Sequence, residues 1–228
     1  MVSATSFPPN SHVEPEHWVP PRLHGGARNV PVKHMLKTNG ASVFDNRQVQ
    51  HESELEQQVS AVIQARHGIV EVRSQFPKVT YVDPEGHLRE HTFDYWARFK
   101  SGFRLAIAVK YEREKAELYP VFAGVQRIHR ALFDDMRIMT ERHATKDDFR
   151  NAKTILWSRE FHDEGHVRTL LRELHGQSGS QIQFFQLYVP HVERTDRTIA
   201  IWRLIDLQVL KPVQRGRVNE LTWFTINL

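Results

Sequence analysis

The stretch "HTFDYWARFKSGFRLAIAVK", residues 91–110, decides the fold. Lys100-Ser101-Gly102 reads as a three-residue hairpin loop, with Gly102 free to adopt a left-handed conformation. Its flanks, rich in aromatic and β-branched residues, read as two strands. Counting outward pairs Phe99 with Phe103, Arg98 with Arg104, Trp96 with Ala106 and Asp94 with Ala108. Side chains alternate along a strand, so Lys110 shares the face of Ala108, diagonally across from Asp94 at about 7–8 Å between backbones. Phe93, Tyr95, Ala97, Leu105, Ile107 and Val109 make the opposite, apolar face, which is expected to pack on a helix. By itself the acid and base read as a structural ion pair on a half-exposed sheet face.

Upstream, Leu55, Val59, Val62 and Ile63 recur at helical spacing between Glu52 and about Arg66, and Gly68 stops the helix. On a helical wheel Glu56 sits at the rim of the apolar stripe, beside Ile63, whereas Glu54 points away from it. Glu56 is therefore expected to face the sheet edge. A carboxylate on a helix, another on a strand and a lysine on the next strand is the arrangement by which metal-dependent nucleases hold Mg²⁺ and activate water. Hard divalent cations prefer oxygen ligands, and a nearby lysine orients or deprotonates the attacking water.

Composition agrees with such chemistry without demanding it. The 228 residues carry 31 Lys and Arg against 27 Asp and Glu, a formal charge of +4, and 40% of the chain is hydrophobic. That is enough for a sizeable core in one large or two small domains. Residues 1–50 hold five basic and three acidic side chains, 51–118 ten and eleven, and 119–228 sixteen and thirteen, so the middle is the acidic part. No cysteine is present, which excludes disulfides and thiolate metal sites and leaves His, Asp and Glu as side-chain ligands. No apolar run approaches the roughly 20 residues a bilayer requires, and "MVSATSFPPNSH" lacks the basic and apolar regions of a signal peptide. The expectation is a cytoplasmic protein with no membrane partner.

Four ordered blocks carry a family resemblance: "SELE" (53–56), "VRSQFP" (72–77), "HTFDYWARFKSG" (91–102) and "LAIAVK" (105–110). Together, over about residues 45–118, they resemble the catalytic domain of TnsA, the endonuclease subunit of heteromeric cut-and-paste transposases, which has the fold of type II restriction enzymes. The resemblance implies an α/β, restriction-endonuclease-like central mixed sheet flanked by helices. It implies Glu56 and Asp94 as metal ligands, the Val109 carbonyl completing the shell, and Lys110 as the catalytic lysine. Mg²⁺, with Mn²⁺ as substitute, is the implied cofactor. The implied partners are double-stranded DNA, an integrase-type transposase subunit and an ATPase regulator. One position departs from the pattern: Ala108 stands where relatives of the fold carry Glu or Gln. Water fills the missing ligand position, or Glu112 or Glu114 does if the strand ends early and bends back; otherwise catalysis is weak or lost. The rival expectations are a non-enzymatic assembly subunit and a free-standing defence or repair nuclease.

Around this centre, residues 1–50 read as an extended, partly irregular arm because of Pro8-Pro9, Pro20-Pro21 and Gly25-Gly26. The nuclease-like domain is expected over 51–145. It would include a turn at Asp83-Pro84-Glu85-Gly86, one long strand through "HLREHTFDYWARF", a helix through "AELYPVFAGVQRIHRALF" and a strand near "DDMRIMT". Residues 146–228 read as a C-terminal winged-helix domain: short helices at "DDFRNAKTILWS", "GHVRTLLRELHG", "SGSQIQFFQLY" and "RTIAIWRLIDLQ", then a hairpin around the basic turn "KPVQRGRV". Arg215 and Arg217 in that turn are candidate phosphate contacts, a solvated hairpin tip being the plain alternative. By the resemblance, this domain contacts the ATPase regulator instead. Arg98 and Arg104 flank the other hairpin loop and are also candidate DNA contacts; side by side they repel unless an anion lies between them. "HDEGH" (162–166) has a zinc-like histidine spacing, but Gly165 and its loop position argue against a rigid site.

Overall fold

A computed structural model describes residues 21–23, 26, 40–125 and 131–228. The described chain is mixed α/β and forms two compact units, one reaching residue 64 and continuing over 68–145, the other comprising 65–67 and 146–228. Among the described residues no helix is long and apolar enough to cross a membrane. Most of the expected arm, 1–50, lies outside the described residues.

The end of that expected arm is not irregular. β1 (Gly40–Phe44) and β2 (Arg47–His51) form an antiparallel hairpin with Phe44 opposite Arg47. Asp45 and Asn46 make its two-residue turn, both at positive φ (48° and 53°), as the primed hairpin turns require. Val49 is wholly buried in one core with Leu55, Val59 and Ile63, so the folded unit begins before residue 51.

α1 (Glu54–Ala65) buries that apolar stripe on a four-stranded mixed sheet. The sheet runs β3 (Ile69–Ser74), β6 (Tyr95–Phe99), β7 (Arg104–Val109), β8 (Asp135–Met139), antiparallel except for the parallel pairing of β7 with β8. The hairpin register is the expected one: Arg98 faces Arg104, Trp96 faces Ala106, and the Phe99 N–H donates to the Phe103 carbonyl at 2.9 Å.

The long strand expected through "HLREHTFDYWARF" is two strands. β4 (Lys78–Val82) and β5 (Leu88–Thr92) form a separate two-stranded sheet, closed at its tip by the Gly86 N–H donating to the Asp83 carbonyl. The chain breaks at Phe93 and Asp94, where the Phe93 N–H donates to Pro77 and the Asp94 carbonyl accepts from Gln75. This break overturns the expected placement of Phe93, which packs with Val79, Trp96, Ala106, Ala108, Leu118 and Phe133 on the face away from α1. That face is buried rather than half-exposed, because the 3-10 helix Glu112–Leu118 and α2 (Tyr119–Val125) cover it. The rest of the helix expected after residue 125 falls partly in 126–130, outside the described residues.

The second unit holds α3 (Lys146–Phe161), α4 (Glu164–Glu173), α5 (Arg194–Asp206) and an antiparallel sheet ordered β10 (Leu210–Pro212), β11 (Trp223–Ile226), β9 (Gln181–Gln183). "SGSQIQFFQLY", expected as a helix, is instead β9 followed by the 3-10 turn Phe184–Leu187. Ile182 and Phe184 go to the core from this segment, pairing and packing against β11. "HDEGH" is a helix start: Asp163 caps α4 by accepting from the His166 N–H, and His162 pairs with Glu164 and the Arg159 carbonyl.

Candidate active-site cleft

The break before β6 is what creates the site. In the β6–β7 ladder, alternate opposed pairs exchange backbone hydrogen bonds, and residues 93 and 109 are next in that series. The Phe93 backbone has turned away to Pro77, and the Val109 N–H donates instead to Asp94 Oδ2 at 2.7 Å. Asp94 thus plugs the end of the strand pair with its carboxylate. A strand residue points its N–H and C=O to the same edge, so the Val109 carbonyl is also directed to the Asp94 side.

Glu56 arrives from the first turn of α1. The S-x-x-E segment works as a helix cap: Ser53 Oγ accepts from the Glu56 N–H at 3.2 Å and donates to Glu56 Oε1 at 3.0 Å. Glu56 Oε2 accepts from the Glu52 N–H at 2.8 Å, one residue earlier than in the usual capping box. Capping and facing the sheet edge are compatible, because Glu56 lines the same cleft as Asp94.

Glu56, Asp94, Val109 and Lys110 line one cleft of about 290 Å³ in the first unit, together with His91 and Glu114. Asp94 and Lys110 do not form the ion pair expected of a purely structural sheet face; Lys110 Nζ lies 4.0 Å from Glu117 Oε2, at the outer limit for a pair, and both side chains are substantially exposed. β7 ends at Val109 and the chain bends back as the 3-10 helix Glu112–Leu118. That bend separates the two acids weighed as replacements for the side chain missing at 108. Glu112 is committed to Lys115 (2.8 Å), whose ammonium holds the Glu112 carboxyl below the usual carboxylate range. Glu114 lines the cleft, its carboxylate accepting from the exposed Arg113 at 3.0 Å. Ala108 also borders the cleft and is 1% exposed.

As the side chains stand, no three His, Asp or Glu groups among the described residues converge to hold an ion unaided. A cation would draw on two carboxylates, a backbone carbonyl and water. That all-oxygen donor set suits Mg²⁺, which retains several waters and needs few carboxylates.

His91 is a cleft residue that the sequence reading passed over. Its ring stands edge-on to Phe93 at 4.8 Å, its Nε2 is buried without a hydrogen-bond partner, and burial pushes its imidazole below the usual histidine range. Alternation along a strand gave no warning of it, because it lies on β5, outside the main sheet.

The four candidate DNA-contacting arginines differ in availability. Arg98 Nε donates to Glu71 at 3.1 Å, and Arg104 makes a bidentate pair with Asp134 while donating to the Ala131 carbonyl. Each arginine has its own carboxylate, so their mutual repulsion is relieved within the fold rather than by an anion between them. Arg215 pairs with Asp148 at 2.5 Å, which raises its already high pKa. Arg217 is exposed on the same turn, beside a groove shared with Trp223 and Leu221.

No family model matches the sequence, and no curated protein is significantly similar to it.

Proposed function

We propose that the chain is a metal-dependent DNA endonuclease subunit of a transposition complex, hydrolysing the 5′ strands at transposon ends. The carrying observation is that Glu56, Asp94, Val109 and Lys110, from a helix, a strand break and the end of the neighbouring strand, line one cleft. Glu56, Asp94 and the Val109 carbonyl would hold Mg²⁺ or Mn²⁺, with Glu114 adding the negative charge that Ala108 lacks. When bound, the cation supplies Lewis-acid stabilisation of a pentacoordinate phosphate and lowers the pKa of water. Asp94 keeps its orientation through the Val109 N–H, and Glu56 through Ser53 and the Glu52 N–H. Lys110 offers an ammonium to the attacking water and the scissile phosphate. The water gives up a proton to solvent as its oxygen bonds to phosphorus, the bond to the 3′ oxygen breaks, that oxygen takes up a proton from solvent, and 3′-hydroxyl and 5′-phosphate ends result.

In this reading the four-stranded sheet with α1 is a restriction-endonuclease-like core, and α3 to α5 with their three-stranded sheet are a winged helix. Its partners are double-stranded DNA, an integrase-type transposase subunit and an ATPase regulator. Ala108 favours one alternative, a nuclease-fold subunit retained for DNA docking and assembly. Calorimetric titration with Mg²⁺ and Mn²⁺ separates the two: the nuclease binds a cation and loses it in Asp94→Ala, whereas absence of binding with either ion selects the assembly subunit.

A further inference from the structure

Tyr95 takes no part in that chemistry, yet among the described residues it is the bulkiest of the fully buried side chains, and it directly follows Asp94. Its ring packs between α1 and the sheet, among Leu55, Val59 and Ile107. Its hydroxyl lies 3.2 Å from each of two backbone carbonyls, those of Gln50 and Glu56, and donates a shared hydrogen bond to them. Gln50 is itself fastened, its N–H donating to Ser74 Oγ at 2.9 Å. One rigid aromatic side chain therefore spans from the strand that begins beside Asp94 to the backbone of Glu56.

Apolar packing holds α1 on the sheet but is non-directional, so it leaves sliding and rotation of the helix weakly fixed. A directional bond to the carbonyl of residue 56 fixes both at the position that matters. We propose that Tyr95 is a positioning residue for the metal site: its buried hydroxyl ties Glu56 to the strand bearing Asp94 and thereby sets the separation of the two carboxylates. This rests on the reading of the cleft as a metal site.

The test is Tyr95→Phe, which keeps the ring and removes only the hydroxyl, read by calorimetric titration with Mn²⁺. A residue that orients a ligand without touching the ion typically changes affinity about 10–100-fold, and a Mn²⁺ dissociation constant weakened at least about 10-fold is expected. The rise in melting temperature produced by a fixed Mn²⁺ concentration should shrink in parallel. Ile69→Ala is the control for general loosening: Ile69 pairs with Phe99 at the end of β6 remote from Asp94, and its loss should lower the melting temperature without moving Mn²⁺ affinity. Wild-type affinity in Tyr95→Phe, or equal weakening in both variants, overturns the proposal while leaving the metal site standing. Failure of the wild-type chain to take up Mn²⁺ overturns the site itself, and Tyr95's role with it.

Discussion

Asp94 has two duties that substitution can separate. It accepts the Val109 N–H at 2.7 Å, and it supplies one of the two carboxylates directed at the proposed cation. Asp94→Ala removes both, leaving a partly buried N–H without its acceptor, which costs about 1–3 kcal/mol. At about 4 °C per kcal/mol for a unit of this size, the melting temperature should fall by roughly 4–12 °C. Asp94→Asn keeps an oxygen acceptor and loses the charge, so its stability penalty should stay below about 1 kcal/mol. Both variants should lose Mn²⁺ affinity by on the order of 100-fold or more, since a direct ligand matters at least as much as its supports. Thermal melts without metal, followed by calorimetric titration with Mn²⁺, read the two duties independently. Wild-type Mn²⁺ affinity in Asp94→Asn would refute the metal role, and an unshifted melt in Asp94→Ala would refute the plug at the strand end.

Glu114→Gln should weaken Mn²⁺ binding about 10-fold whereas Glu112→Gln leaves it unchanged, as titration of both variants would show. Lys110→Met should retain Mn²⁺ affinity and abolish nicking of plasmid DNA in the presence of the proposed transposase and ATPase partners; nicking at the wild-type rate would remove Lys110 from the mechanism. His51 and His91 have folded-state pKa values lowered by burial. Their unfolded counterparts therefore take up protons first, near pH 6.5. Their contribution to stability is complete above that pH and is lost as pH falls through the folded-state values, so urea midpoints should drop between pH 7.5 and 5.5 and drop less in His51→Gln. Under the proposed DNA-binding role of the 213–219 turn, Arg217→Ala should reduce the slope of log K against log salt by about 1; an unchanged slope removes Arg217 from the phosphate contacts.

The hairpin register was legible because Gly102 fixes the loop and a two-residue period then dictates every pair through Arg98 and Arg104. α1 was legible from its apolar spacing. The break at Phe93–Asp94 was not, because the residues that cause it, Gln75 and Pro77, lie in the connection between β3 and β4 and act through backbone hydrogen bonds. Periodicity within "HLREHTFDYWARF" carries no trace of them, so Phe93 was assigned to the wrong face. The hairpin at 40–51 was readable from Asp45-Asn46 between alternating residues, but the prolines and glycines farther upstream coloured the whole segment. At the cleft, Glu56 was placed by the helical wheel, whereas choosing between Glu112 and Glu114 required the direction of the bend after Val109. Neither His91 nor the hydroxyl of Tyr95 could be placed from strand alternation, since one lies on a different sheet and the other reaches across to a helix.

Anomalous diffraction from a crystal of the wild-type chain soaked in Mn²⁺ addresses the central claim most directly. A single strong peak within coordination distance of the Glu56 and Asp94 carboxylates and the Val109 carbonyl is the predicted result. An empty cleft under saturating Mn²⁺, with Glu56 still held by Ser53 and the Glu52 N–H, would contradict it.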